Sequence, residues 1–426
     1  MKLADESVLH FVWKFRLFPQ FGLRTVDDKP VEIIHPGIHN TNSGPDFTDA
    51  RIKIDGQLWA GNVELHIRTS DWFRHRHQND PAYRSVILHV VYEKDSKSLS
   101  DSEPPVIELK KYINSTVLKN AEHLLSSQSE IPCHNLLSSV SNEAKSAMVS
   151  RVAVERMELK ITEKAKLLES LQADFYRLLW IEISSAFGLK ANVLPMYLLA
   201  LHAPLHKILQ TANDRNTVEA FLFGMASLLP TKPNDEYSRA LLDEFNYLKH
   251  KYGLDVVVES HVWKFHRIKP IGFPTIRISQ LASLLLRWDE LIDSVFKRPN
   301  LQNLQAILRV EASGYWNSHY RFGVSSESNF VKRVGDDLIN RILINAIIPV
   351  MMSFSKNSDN PIFHQIAIDW LEQLPAENNA IVRKMKSYGF KNTNALMSQG
   401  LIQLKNAYCS EKKCLFCSIG YKIIKS

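Results

Sequence analysis

The chain has 426 residues, room for two or three domains at roughly 100–200 residues each. Hydrophobic residues make up 45% and charged residues 23%, which excludes a disordered or fibrous chain. The net charge is +7, and the excess is concentrated: residues 383–426 carry nine bases against one acid, Glu411. A basic end of this kind is the electrostatic footprint of a polyanion, so nucleic acid is the expected partner; a solubilising surface gives the same count.

The first residues, Met1 to Ser7, show no apolar run after a basic start, so no secretory signal is expected. The longest greasy run, Ile342 to Phe354, is broken by Asn345 and Pro349 and is too short to span a bilayer. A cytoplasmic protein without membrane contact is the expectation.

In chain order, Val8 to Phe21 opens with apolar residues at helical spacing and ends near Pro19. A strand at Val31–Ile34 follows. Turn chemistry at Pro36-Gly37 and Asn42-Ser43-Gly44-Pro45 leads into a strand from Asp46 to Ile54, which turns at Asp55-Gly56 and pairs with Leu58 to Ile67. A polar, His-rich stretch, Thr69 to Asp80, precedes a strand from Ser85 to Glu93. Residues 94–105 form a polar loop, and Val106 to Tyr112 reads as the return strand of a hairpin. From about Ser141 to Leu404 helical periodicity dominates, as in Ala153–Leu171 and Phe175–Phe187. The expected fold is α+β. A small mixed β-sheet domain (1–137) is followed by a large helical domain (138–382) and a basic, cysteine-containing segment (383–426).

Polar residues interrupt the strands where apolar ones belong. Glu64 and His66 lie two apart, on one face of their strand, with Val63, Leu65 and Ile67 on the other. The hairpin brings Asp46 toward them. His89 interrupts the apolar run Val86 to Val91. Burying such groups is costly unless they are paired, hydrogen-bonded or bound to metal.

An acid followed some eighteen residues later by Glu-x-basic on the next strand suits phosphodiester hydrolysis: two carboxylates hold Mg²⁺ or Mn²⁺, and the third side chain orients water or offsets phosphate charge. Pro45-Asp46 with Glu64-Leu65-His66 thus resembles the PD-(D/E)XK nuclease pattern, departing from it in having His66 at the usual Lys. That resemblance implies Asp46, Glu64 and His66 as catalytic residues, with Asp46 and Glu64 as ligands for Mg²⁺ or Mn²⁺ and Glu32 as an early acid. A rival frame, Glu108-Leu109-Lys110, keeps the Lys but lies farther from Asp46. A strand with an edge-exposed Glu and His would present the same residues without any chemistry.

Four histidines, His66, His75, His77 and His89, fall within 24 residues and open a second metal reading, a His-rich zinc site with a carboxylate. Arg74 and Arg76 interleave with two of them and suit phosphate contact.

Three of the four cysteines, Cys409, Cys414 and Cys417, fall within nine residues. Cys133 is the natural fourth thiolate, with His134 as an alternative. A Cys₄ zinc site or a 4Fe-4S cluster of structural role is expected, with Lys412 and Lys413 beside it balancing charge or meeting nucleic acid. A reduced Cys-x-x-Cys without metal is the bland alternative. The tryptophans Trp180, Trp263, Trp316 and Trp370 read as packing anchors. No phosphate loop, dinucleotide fingerprint or Gly-x-Ser-x-Gly elbow is present.

Several segments taken together, Asn42-Ser-Gly-Pro-Asp-Phe47, Gly61-Asn-Val-Glu-Leu-His66, Asp71-Trp72 with His75 and His77, Val86-Ile-Leu-His-Val-Val91, Ile131-Pro-Cys133, and Tyr408-Cys409 through Cys414-Leu-Phe-Cys417, resemble one bacterial family of unknown function over nearly the full length. That resemblance implies no activity. The expected function is a metal-dependent nuclease or phosphodiesterase. The alternatives are a non-catalytic nucleic-acid-binding or scaffold protein stapled by its cysteines, and a zinc hydrolase using the four histidines.

Overall fold

In the computed structural model, residues 5–95, 103–212, 214–327 and 329–426 are described; much of the polar loop read at 94–105 lies outside them. The chain is α+β, 56% helical and 12% strand, so helix far outweighs the sheet. It divides into two units. The first comprises Met1–Val152, Asn379–Lys391 and Leu401–Ser426, and the second Ala153–Asn378 and Asn392–Gly400. Most of the segment expected to stand apart at 383–426 therefore clusters with the sheet.

The sheet of the first unit grows from a meander. Strands β1 (Leu23–Arg24), β2 (Pro30–His35), β3 (Ile38–His39), β4 (Phe47–Ile54) and β5 (Gln57–Arg68) are joined by antiparallel pairings. The β4–β5 turn places Asp55 at φ 50° and Gly56 at φ 85°, the left-handed pair that a two-residue hairpin needs. Beyond β5 the sense changes. β6 (Val86–Glu93) runs parallel to β5, and β7 (Val106–Glu108) runs parallel to β6.

The expected hairpin return at Val106 is thus corrected: β7 lies parallel to β6, where a hairpin would make it antiparallel. The rival frame falls with it. Glu108 accepts a hydrogen bond from the Lys94 amide at 3.2 Å, and Lys110 pairs with Glu93 at 2.9 Å, at the far edge of the sheet from β4.

Helix α1 (Glu6–Lys14), capped by the Asp5 carboxylate, packs on β5 with Val8, Leu9, Phe11, Val12 and Trp13 buried. It ends before the expected Pro19 because Arg16 turns into the left-handed region at φ 50°. Short helix α2 (Asp71–Arg74) follows β5, and α3 (Ser115–Ser126) packs on the C-terminal helix Ser418–Lys425.

The second unit is helical around Trp180, Phe223 and Trp316, which are almost wholly excluded from solvent. Trp263 and Trp370 are also buried, so all four tryptophans read as anchors pack inward. The stretch Asp336–Asn357 is long and apolar enough to cross a membrane by length and composition alone, but 78% of its apolar window is already buried within the protein. A π-turn at Leu343–Ile347 precedes Pro349, absorbing the amide that proline cannot donate.

Helices Arg215–Met225 and Glu236–Tyr252 meet at Gly224, where an added Cβ would lie 2.0 Å from the Phe245 ring. Gly224→Ala is expected to lower the urea midpoint, at a cost of about 1–3 kcal/mol. On an open helix surface the same change would stabilise by up to about 1 kcal/mol, so the sign alone checks the contact.

Candidate metal centre

Parallel pairing of β5 with β6 sets Glu64 opposite His89 and His66 opposite Val91. The three polar residues therefore share one face of two neighbouring strands. That face is covered, and Glu64, His66 and His89 are 5%, 1% and 0% exposed. Their polar atoms need partners within the protein.

The cover is the segment from α2 to β6, pinned at its start. Asp95 accepts from the Ser70 amide at 3.0 Å, the Ser70 hydroxyl at 2.7 Å and the Thr69 hydroxyl at 2.8 Å. Asp71 accepts from the Arg68 amide at 3.1 Å. Between His75 and His77, Arg76 sits at φ 64°, a left-handed conformation that costs a non-glycine residue of order 1 kcal/mol or more. This kink turns both flanking imidazoles toward His66. The ring centroids lie 5.0 Å (His75) and 5.2 Å (His77) from that of His66.

One donor atom each from His66, His75 and His77 lies within 4.8 Å of the other two. His66 Nε2 is 3.1 Å from His75 Nδ1. Glu64 Oε1 is 3.6 Å from His66 Nε2 and 3.4 Å from His77 Nε2. Two ligands about 2.0–2.1 Å from one ion at a tetrahedral angle stand roughly 3.3 Å apart. The contacts of 3.1, 3.4 and 3.6 Å fall near that spacing, and the remaining histidine pairs lie within 4.8 Å. His77 Nε2 is buried without a hydrogen-bond partner, the condition in which an atom awaits a ligand.

The tautomers are held from behind. The Glu103 carboxylate accepts from His89 Nδ1 at 2.7 Å, and His89 Nε2 in turn accepts from His66 Nδ1 at 2.9 Å. His66 Nε2 is left as a lone pair facing the cluster, the outer-shell arrangement that orients a ligating imidazole. Burial, with His89, His77 and His75 close by, pushes the His66 pKa down to about 2, so the ring stays neutral as ligation requires. Burial and then the Asp46 charge push Glu64 up to about 9, so without a cation its carboxyl keeps its proton.

A stability consequence follows. The carboxyl of Glu64 is at home when neutral, so its contribution is fully present below the unfolded value of 4.5 and is lost as pH rises through about 9. Metal-stripped protein is expected to lose stability over that window relative to Glu64→Gln, on the order of 1.4 kcal/mol per pH unit. Urea titrations of both proteins from pH 5 to 9 read the difference, and parallel curves would remove it.

Asp46 adjoins the cluster and faces elsewhere. Its amide donates to Glu64 Oε2 at 3.1 Å, while its Oδ2 accepts from the Leu65 amide at 2.9 Å and lies 3.3 Å from His10 Nε2. His10 is raised; burial opposes this, but the Asp46 carboxylate and then Glu6 outweigh it. The acid pair expected to hold Mg²⁺ or Mn²⁺ is thus adjacent, but nitrogen donors dominate around it.

Glu32 stands exposed on β2 opposite Lys53 and does not serve as an early acid in this cluster. Glu6, from α1, is the acid beside His10 and Asp46. Arg74 is 67% exposed and pairs with Asp71 at 2.8 Å; Arg76 is exposed as well. Tyr83 lies against His77, ring centroids 3.8 Å apart, and burial followed by the Glu64 and Asp46 charges pushes its hydroxyl up to about 12.

Glu6, His10, Tyr83 and Glu103 were not singled out in the sequence. Glu6 and His10 carried one usable signal, their i, i+4 spacing on a helix next to the strand that Asp46 opens. The four cysteines, in contrast, meet as expected: Cys133, Cys409, Cys414 and Cys417 line one cavity with Lys413 and Gly420.

The chain belongs to a family described as protein of unknown function (DUF2851), whose model matches residues 6–380. The matched range holds the whole histidine cluster and Cys133, and ends before Cys409. No curated protein and no solved structure matches the chain. Membership therefore supplies no activity, and chemistry has to be argued from the cluster itself.

Proposed function

We propose that the sheet unit is a metal-dependent hydrolase of phosphodiesters, its ion held by His66, His75 and His77 with Glu64 beside it. The observation that carries this reading is the convergence of His66, His75 and His77, donor atoms within 4.8 Å of one another, on Glu64 Oε1, with contacts of 3.1, 3.4 and 3.6 Å close to the separation of two ligands on one ion. Three imidazoles favour zinc or a similar ion over magnesium. Such an ion supplies an activated water and neutralises charge on a phosphoryl oxygen.

The protein's own groups divide the remaining work. Glu64, held through Oε2 by the Asp46 amide, presents Oε1 to the cluster as the base that takes a proton from water. Glu103 and His89 fix the tautomer of His66. Asp46 and His10 position Glu64, and His75 is the exposed member of the cluster. Arg74 and Arg76, exposed on the same loop, suit the phosphates of a nucleic acid.

The element order gives the carboxylate-centred nuclease reading specific support: α1, the β2–β4–β5 meander, then the α2 crossover to parallel β6, with Asp46 before β4 and Glu64 and His66 on β5. Single- and double-stranded DNA and RNA, incubated with Zn²⁺, Mn²⁺, Mg²⁺ or chelator, test both readings. Cleavage with zinc or manganese, abolished by chelator, is the expected result. Cleavage with magnesium alone selects the carboxylate-centred site, and binding without cleavage in any ion leaves only a scaffold.

A further inference from the structure

All the cysteines of the chain, four in number, line one small cavity in the first unit. Cys133 comes from the loop after α3. Cys409 ends the helical turn Leu404–Cys409, and Cys414 and Cys417 bracket a single 3₁₀ turn. None is paired in a disulfide. Four free thiols gathered from sites some 280 residues apart have no packing need to converge on a void, since a buried cysteine alone behaves as a small hydrophobe.

The backbone is shaped around them. Lys412 adopts φ 51°, and the Cys414 amide donates to Lys412 O at 2.8 Å, folding the Cys409–Cys414 loop back on itself. Gly420 lies so close to that loop that a Cβ would stand 2.1 Å from Cys414 O. Only glycine lets the C-terminal helix approach. The amides of Ile419 and Gly420, at the start of that helix, face Cys417. Burial raises all four thiols, and these helix-start amides oppose it at Cys417.

Cations complete the setting. Lys405 acts on Cys409, Lys412 on Cys414 and Arg151 on Cys417. A four-thiolate centre carrying a net charge of about −2 is what three such neighbours would offset.

We propose that Cys133, Cys409, Cys414 and Cys417 hold one soft-metal centre that ties the C-terminal end to the loop after α3. Four thiolates are the donor set of a tetrahedral zinc ion and of a cubane iron–sulfur cluster alike, and the metal content tells the two apart.

Protein purified without oxygen or chelator is expected to carry metal whose absorption edge shows sulfur ligation: about one zinc per chain, or about four iron and four sulfide with a brown colour. Cys133→Ser and Cys417→Ser are each expected to lose most of that metal, whereas His75→Ala keeps it. That contrast separates this centre from the histidine cluster. Wild-type protein with no sulfur-ligated metal would overturn the site itself, whatever the variants do to folding.

Discussion

Glu64→Gln is expected to cut phosphodiester cleavage by about 10²–10⁴-fold, the range that loss of a positioned general base produces. The amide keeps the shape of the carboxyl and can still accept from the Asp46 amide, which donates at 3.1 Å, so the strand should not move. It cannot take a proton from water. Metal should remain, because three imidazoles stay in place. Loss of cleavage with the ion retained assigns Glu64 the base; loss of both makes it chiefly a ligand. Asp46→Asn is expected to cost less, about 10–100-fold, since Asp46 acts on the cluster through Glu64 and His10. Cleavage by Glu64→Gln at the wild-type rate would place the chemistry elsewhere.

His75→Ala is expected to weaken binding of zinc at the cluster by at least about 100-fold while leaving the metal-free protein as stable as the parent to within about 0.5 kcal/mol. His75 is exposed, so its removal opens no internal void, and His66 Nε2, which loses the His75 contact at 3.1 Å, keeps the Glu64 carboxyl beside it at 3.6 Å. His66 would be a poor choice for the same test: it is 1% exposed, and its loss would leave His89 Nε2 without the partner it has at 2.9 Å. A cavity and an unmet polar group together cost several kcal/mol, and metal loss would then be confounded with unfolding. Competition titration with a chromophoric chelator measures the affinity, and urea denaturation in excess chelator measures the stability. An unchanged zinc affinity would remove His75 from the site.

Local pattern revealed part of the centre. Period-two alternation put Glu64 and His66 on one strand face, and the Asp55-Gly56 turn brought Asp46 to them, because hairpin register follows from turn type. A histidine inside an apolar strand marked His89. What local pattern cannot carry is the register of parallel strands, which is set by a crossover rather than a turn; that register aligns His89 behind His66. The same limit turned Val106 from a supposed hairpin return into a parallel strand.

The kink at Arg76 was equally hidden, since nothing about an arginine signals a left-handed backbone. Glu6 and His10 were masked by the amphipathic helix that carries them. The cysteines were legible by count and crowding alone, whereas the cavity they share needed coordinates. The helical second unit offered periodicity in abundance and little polar pattern, so its role gained least from either source.

The most direct test is a crystal structure of the protein soaked in zinc, with anomalous diffraction collected at the zinc edge. The account expects a peak about 2.0–2.2 Å from His66 Nε2, His75 Nδ1 and His77 Nε2, with Glu64 Oε1 within reach. No peak among those imidazoles, in a protein whose thiols or surface sites have filled, would contradict it.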